Sequence, residues 1–217
     1  MRTILTATSC DNHYFEHALV LLRSACKNAN EQLTIGLING DKTHEKAVHK
    51  IDKAINILLC EIEGSSRFDY SRARFEIIRR TIEQGYKQIC WMDCDIIIRG
   101  SISEFWEDLS PRSMKIVVRN VKSDRTKFQI GVVGFGVDSL IKCYITDVRD
   151  KLVNAEEWCE DQTEMYRVWK NYKKLIPIIE LDPKYNDSEF KDNSIVWHCK
   201  SSHFNEAKYQ TEYRKYL

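Results

Sequence analysis

The ten residues from Ile89 to Ile98, Ile-Cys-Trp-Met-Asp-Cys-Asp-Ile-Ile-Ile, restrict the architecture more than any other part of the chain. An apolar run of strand character without alternation is buried on both faces, so its sheet must be covered by a layer on each side. Two carboxylates, Asp93 and Asp95, interrupt the run. Asp is a poor strand former, and residues at i and i+2 of an extended chain point to one side. Asp93 and Asp95 then converge on one small volume, where they raise each other's pKa or recruit a cation, and oxygen ligands suit Mg²⁺ or Mn²⁺. The competing reading is a structural pair, one Asp capping a turn and the other paired with an arginine.

The run closes a series of alternating signals. Thr3 to Thr8 is β-rich, Phe15, Ala18, Leu19, Leu22, Cys26 and Ala29 recur at helical spacing, and Leu33 to Ile38 is a second strand ending at Asn39-Gly40. Thr43, read as a cap, opens a helix to about Ala54, and Ile55 to Cys60 is a third strand. A helix from Tyr70 to about Gln84, with Phe75, Ile78 and Ile82 on one face, stops at Gly85. Strands alternating with helices predict an α/β fold with a mostly parallel central sheet flanked by helices. Beyond Gly100, Lys115 to Val118 and Ile130 to Val137 read as strands, the latter with Gly131, Gly134 and Gly136, where a backbone or ligand approaches closely. Helices from about Asp138 and from about Ala155 to Lys174, strands near Ile176 to Glu180 and Ser194 to His198, and a terminal helix within Ser201 to Leu217 complete the pattern. At 217 residues one domain is expected.

Acids and bases nearly cancel, 32 against 33, so no global field recruits nucleic acid or a membrane surface. No stretch approaches the ~18 consecutive apolar residues of a spanning helix, and Met1 to Thr8 lacks the apolar core of a signal peptide. The expectation is a soluble, cytoplasmic protein with no transmembrane segment. Eight cysteines at irregular spacings, with Cys26, Cys60, Cys90 and Cys143 inside apolar segments, read as buried free thiols rather than a disulfide framework. Cys90, Cys94, His198 and Cys199 lack the paired C-x-x-C spacing of a zinc site.

In open α/β sheets ligands bind beyond the carboxyl ends of the strands, and Asp93 and Asp95 lie towards that end of theirs. His198 closes the apolar strand Ser194-Ile195-Val196-Trp197 and is a candidate third ligand, although a lone His at a strand end is more often structural. The ordered set Asp11-Asn12-His13-Tyr14, Tyr70-Ser71-Arg72-Ala73, Trp91-Met92-Asp93-Cys94-Asp95-Ile96-Ile97-Ile98 with Gly100-Ser101-Ile102, Phe128-Gln129-Ile130-Gly131-Val132, Asp161-Gln162, Tyr185-Asn186 and His198 resembles the GT-A-fold glycosyltransferases with their DxD motif. The likeness spans nearly the whole chain and is greatest to the family 8 retaining enzymes.

The resemblance implies a metal-dependent transferase that moves a hexose from a nucleotide diphosphate sugar, a UDP-sugar above all, to a hydroxyl acceptor with retention of configuration. It divides the chain into a nucleotide-binding half, about residues 1–100, and a sugar and acceptor half, about 101–217. Asp93, Asp95 and His198 would bind the Mn²⁺ or Mg²⁺ that holds the diphosphate, with Cys94 between them against the donor. Thr8, Ser9, Asp11 and Tyr14 would hold base and ribose, Arg72 the donor's phosphate or sugar, and Lys200 the phosphates. Gln129, Asp161 and Gln162 would position the sugar, no protein nucleophile being assigned. The acceptor would be a glycan, a lipid-linked glycan or a protein, and the loop from Tyr185 to Asn193 is the candidate lid over the donor.

Read from the residues alone, Asp11 serves equally as a helix cap, Arg72 as a surface arginine among Arg74, Arg79 and Arg80, and Asp161 as a solvated acid near a helix N-terminus. The chain departs from the family in having no glycine in His198-Cys199-Lys200-Ser201-Ser202-His203, and in Gln129 where Asn is usual. Two other readings stay open. One is a Mg²⁺ phosphatase of the haloacid-dehalogenase type with the first Asp as nucleophile, although that motif follows a first strand and has Thr or Val where Ile96 stands. The other is a non-catalytic nucleotide-sugar-binding module.

Overall fold

The computed structural model describes residues 1–10, 14–64, 67–154, 160–199 and 203–217. The first half alternates strand and helix: β1 (Arg2–Ser9), α1 (Tyr14–Asn28), β2 (Gln32–Ile38), α2 (Lys42–His49), β3 (Asn56–Cys60), α3 (Arg67–Glu83) and β4 (Gln88–Met92). Then come β5 (Ile96–Ile98), β6 (Met114–Val118), β7 (Phe128–Gly136), α4 (Ser139–Lys151), α5 (Glu160–Tyr172), β8 (Ile178–Glu180), β9 (Val196–His198) and α6 (Ala207–Tyr213). Seven strands form one sheet in the order β3-β2-β1-β4-β7-β6-β8, and β5 and β9 form a second, two-stranded sheet. In the large sheet β1 runs parallel to β2 and β4, β2 to β3, and β6 to β8, while β7 is antiparallel to β4 and β6. The mostly parallel α/β architecture expected from the alternation is therefore present.

Its two covering layers are visible in β4 itself. Ile89 and Trp91 pack with residues of α3, α4 and α5 on one face, and Cys90 and Met92 pack with residues of α1, α2 and the 3₁₀ turn Ser103–Trp106 on the other. A third cluster joins the small sheet to the C-terminus, with Ile97 and Trp197 against Tyr209, Tyr213, Tyr216 and Phe190.

The apolar run of residues 89–98 is not one strand. β4 ends at Met92, residues 93–95 turn, and β5 leaves the large sheet to pair antiparallel with β9, Ile96 opposite His198. The aspartates thus converge through a turn between two sheets, not through strand alternation. Two residues unfavourable to strands mark where the chain changes sheet.

Other boundaries differ for local reasons. α2 is capped by Asp41, not Thr43: its carboxylate accepts from the amides of Thr43 at 2.8 Å and His44 at 3.1 Å, and the His44 ring accepts in return from the Asp41 amide. The helix ends at His49, and Asp52 then turns the chain by accepting from the Ala54 amide at 2.8 Å. Gly85 does end α3, with φ +88°, a conformation a Cβ disfavours. The expected helical start at residues 155–159 lies outside the described residues, and α5 is seen from Glu160. Cys60 and Cys90 are buried, but Cys26 and Cys143 are exposed, on the solvent sides of α1 and α4. The seven described cysteines are all free thiols.

Candidate functional site

Beyond the ends of β1 and β4, four segments meet: the 93–95 turn, the end of β9, the start of β7 and the first turn of α5. The backbone fixes the turn from both sides. Asp93 donates its amide to the Gly131 carbonyl of β7 at 2.8 Å, and the Asp95 carbonyl accepts from the Cys199 amide at 3.0 Å and the Tyr209 hydroxyl at 3.3 Å. With the main chain so held, both carboxylates face the His198 ring. Nε2 lies 3.7 Å from Asp93 Oδ2 and 3.4 Å from Asp95 Oδ1, and one ligand atom from each of the three residues falls within a 4.8 Å cluster.

His198 is placed by three features. Its amide donates to the Asp187 carbonyl at 2.8 Å. Its Nδ1 lies 2.9 Å from Asn186 Oδ1, so the ring N–H points at the amide oxygen and the Nε2 lone pair points at the carboxylates. The ring also lies against Gly131, where a Cβ would come 2.2 Å from His198 Cε1. Glycine is required there by the imidazole.

Arg74 supplies the counter-charge. Its Nη2 is 3.1 Å from Asp93 Oδ1 and its Nη1 3.1 Å from Asp161 Oδ2, and its guanidinium lies 5.0 Å from the Trp91 ring centre. Trp91 Nε1 donates to the same Asp93 oxygen at 3.0 Å. Burial pushes Asp93 above the ordinary carboxyl range and Asp95 adds to the push, against the pull of Arg74 and His198. Burial, then the two carboxylates, pushes the Cys94 thiol well up, so it stays protonated. The donor set is carboxylate oxygen and one imidazole nitrogen, without thiolate. Among the described residues three carboxylates stand against one guanidinium, a formal excess of about two negative charges that a divalent cation would balance. Hard oxygen donors with a borderline nitrogen fit Mn²⁺ or Mg²⁺.

The other expected residues fall as follows. Tyr14 stands close to the turn, its phenol raised by burial and then by Cys94 and Asp95. Thr8 and Ser9 are buried at the end of β1, the Thr8 hydroxyl donating to the Ser9 carbonyl at 3.1 Å. Gln129 is half-buried, two residues before Gly131. Asp161 joins the cluster through Arg74 and accepts from the Ser71 hydroxyl at 3.4 Å, and Gln162 Oε1 beside it is buried with no hydrogen-bond partner among the described residues. Asp11 and Lys200 lie outside the described residues.

The structure brings Arg74, not Arg72, to the carboxylates: Arg72 is on the outer side of α3, 3.7 Å from Asp69. A helical wheel carries the signal. At about 100° per residue, Arg74 falls in the middle of the stripe formed by Ala73, Phe75, Ile77, Ile78, Thr81 and Ile82, where a charge must be paired. The loop 185–193, expected as a lid, is pinned. Asp187 accepts from the amides of Glu189 and Lys191 and the Ser194 hydroxyl at 2.6–2.8 Å, Phe190 is fully buried, and Trp197 Nε1 donates to the Lys191 carbonyl. It is scaffold for His198.

No protein-family model matches the sequence, and no curated protein matches it. Solved structures do match the fold. The glycosyltransferase GlyE of Streptococcus pneumoniae TIGR4 superposes with a TM-score of 0.69, and its apo form with 0.70, each at 15% sequence identity over 100% of this chain. The fold is that of a glycosyltransferase domain. This chain spans 60% of the length of either structure.

Proposed function

We propose that the protein is a metal-dependent glycosyltransferase of the GT-A type, most like family 8, that transfers a hexose from a UDP-sugar to a hydroxyl acceptor with retention of configuration. The observation that carries the reading is the convergence of Asp93, Asp95 and His198 at a strand end of a glycosyltransferase-like fold. These three residues would hold Mn²⁺ or Mg²⁺, which when bound supplies Lewis-acid stabilisation to a departing diphosphate. Asn186 fixes the His198 ring, and Arg74 orients Asp93 and Asp161 through its two ion pairs. Tyr14 lines the nucleotide side, with Thr8 and Ser9 beneath it. Asp161, Gln162 and Gln129 orient the sugar, and Gln162 Oε1, without a partner among the described residues, is an acceptor available to a sugar hydroxyl. The acceptor is a glycan, free or carried on a lipid or protein.

The test is a panel of nucleotide sugars offered with Mn²⁺. Thermal stabilisation by UDP and a UDP-hexose, with slow release of UDP, is the expected result. No response to any donor, together with cleavage of a phosphomonoester, would replace this reading with a phosphatase. Asp95→Ala is expected to abolish Mn²⁺-dependent donor binding, and unchanged donor affinity would remove the metal assignment.

A further inference from the structure

β5 and β9 bring two of the candidate metal ligands to one end of their ladder. Ile96 lies opposite His198, and the rung beyond it, the Cys199 amide donating to the Asp95 carbonyl at 3.0 Å, ties the residue after His198 to Asp95 itself. That rung helps to set the 3.4 Å between Asp95 Oδ1 and His198 Nε2. Each of the two strands has three residues, and a ladder so short is weak on its own and opens first at its ends.

Tyr209 of α6 closes the end that carries the ligands. Its hydroxyl donates to the same Asp95 carbonyl at 3.3 Å and meets the Cys199 thiol, so one side chain touches both sides of the rung. The residue is 1% exposed. Its ring is placed by packing, with the ring centres of Phe190, Tyr213 and Phe204 at 5.2, 5.8 and 6.0 Å. A phenylalanine would fill the same space, whereas a buried hydroxyl is costly unless it is bonded. Here the bond goes to the main chain of a metal ligand.

α6 is also fastened to the loop that orients the histidine. Lys208 Nζ pairs with Asp192 at 2.8 Å, and Phe190 of that loop packs on Tyr209. The loop supplies Asn186 and the Asp187 carbonyl, which hold the His198 ring and amide. α6 therefore bears on both ligands, on Asp95 through a hydroxyl and on His198 through the loop.

We propose that Tyr209 is a positioning residue of the metal site, its hydroxyl holding the Asp95 main chain so that carboxylate and imidazole face a divalent cation together, and that metal binding and the docking of α6 reinforce each other. The inference rests on the metal assignment made under the glycosyltransferase reading. Tyr209→Phe removes the hydroxyl and keeps the ring. Tyr216→Phe is the comparison: Tyr216 belongs to the same aromatic cluster, and its hydroxyl accepts from Asn28 Nδ2 at 3.0 Å, at the other end of β5, where Asn28 also donates to the Ile98 carbonyl at 2.7 Å. Mn²⁺ is titrated into the full chain with the free ion counted by electron paramagnetic resonance, and Tm is read in chelator. Both variants lose one buried hydroxyl contact, so their Tm is expected to fall alike. Tyr209→Phe is expected to bind Mn²⁺ about three- to tenfold more weakly than the native protein, and Tyr216→Phe to bind it as the native protein does.

Native affinity in a folded Tyr209→Phe would overturn the proposal. An equal loss in Tyr216→Phe would also overturn it, because affinity would then follow stability alone. Hydrogen exchange of the native protein decides the matter if Tyr209→Phe does not fold. Mg²⁺ is expected to slow the amides of residues 207–213 more than those of α2, and equal slowing would overturn the coupling. A native protein that binds no Mn²⁺ would sink the metal assignment and the role of Tyr209 with it. Mn²⁺ binding that is indifferent to Tyr209→Phe would remove that role alone.

Discussion

Asn186 turns the His198 ring so that Nε2 faces Asp93 and Asp95. Its Oδ1 accepts from His198 Nδ1 and leaves Nε2 towards two carboxylates, an arrangement that suits a cation between them. Asn186→Ala is expected to weaken Mn²⁺ binding by about 10–100-fold, read by calorimetry, while Asn186→Asp, which keeps the acceptor, retains it. An alanine variant with native Mn²⁺ affinity would show that the ring is held by packing alone. Arg74 and Arg72 make a second contrast. Breaking a well-buried ion pair costs about 3–5 kcal/mol, and the partial exposure of this one reduces the figure to roughly 2. Arg74→Ala is therefore expected to lower Tm by about 4–8 °C, and Arg72→Ala by no more than about 2 °C. Both residues were in view in the sequence, but each was legible to a different degree. Asn186 carried no helical or strand phase by which to judge its direction, whereas the phase of Arg74 on α3 pointed inward once its neighbours were laid on a wheel.

Among the elements, helices and strands with a strong period were legible, and places where two local preferences compete were not. α3 and β4 were recognised because apolar residues at helical spacing, and an unbroken apolar run, each admit one covering arrangement. The change of sheet at residues 93–95 was hidden, because Ile96, Ile97 and Ile98 look the same whether they prolong β4 or pair with β9. Caps followed the stronger acceptor: Asp41 displaced Thr43 at α2, and Asp138 begins α4 as expected, accepting from the amides of Leu140 and Ile141 at 2.9 and 3.0 Å. Burial pushes Asp138 up, but those amides and the Arg112 guanidinium outweigh it and hold the carboxyl below its ordinary value. A carboxyl lowered on folding stabilises above its unfolded pKa, and the contribution is lost as pH falls through the folded value. Asp138→Ala is accordingly expected to cost about 1 kcal/mol in urea unfolding at pH 7. The gap between variant and native protein should narrow below about pH 4. A gap independent of pH would mean that the charge of the cap contributes nothing.

At the scale of the whole molecule the candidate site is a seam. Asp93 and Asp95 belong to the turn that leaves the seven-stranded sheet, and His198 belongs to the two-stranded sheet that the C-terminal tyrosines hold in place. Within the seam, like charges face one another across a short gap, and among the described residues the Arg74 guanidinium opposes them. A cation bound by residues from both sheets would relieve that repulsion and cross-link the two halves of the fold. Any ligand that binds the folded state alone stabilises it by mass action, about 2.7 kcal/mol at one hundred times its Kd. For a chain of this length Mn²⁺ at that level is expected to raise Tm by about 5–10 °C, and a chelator to reverse the shift. Asp95→Ala and His198→Ala remove one ligand from either side of the seam, so each should abolish most of the rise. If Mn²⁺ raised the Tm of His198→Ala as much as that of the native protein, the cation would bind to the turn alone and the two sheets would not be joined through it.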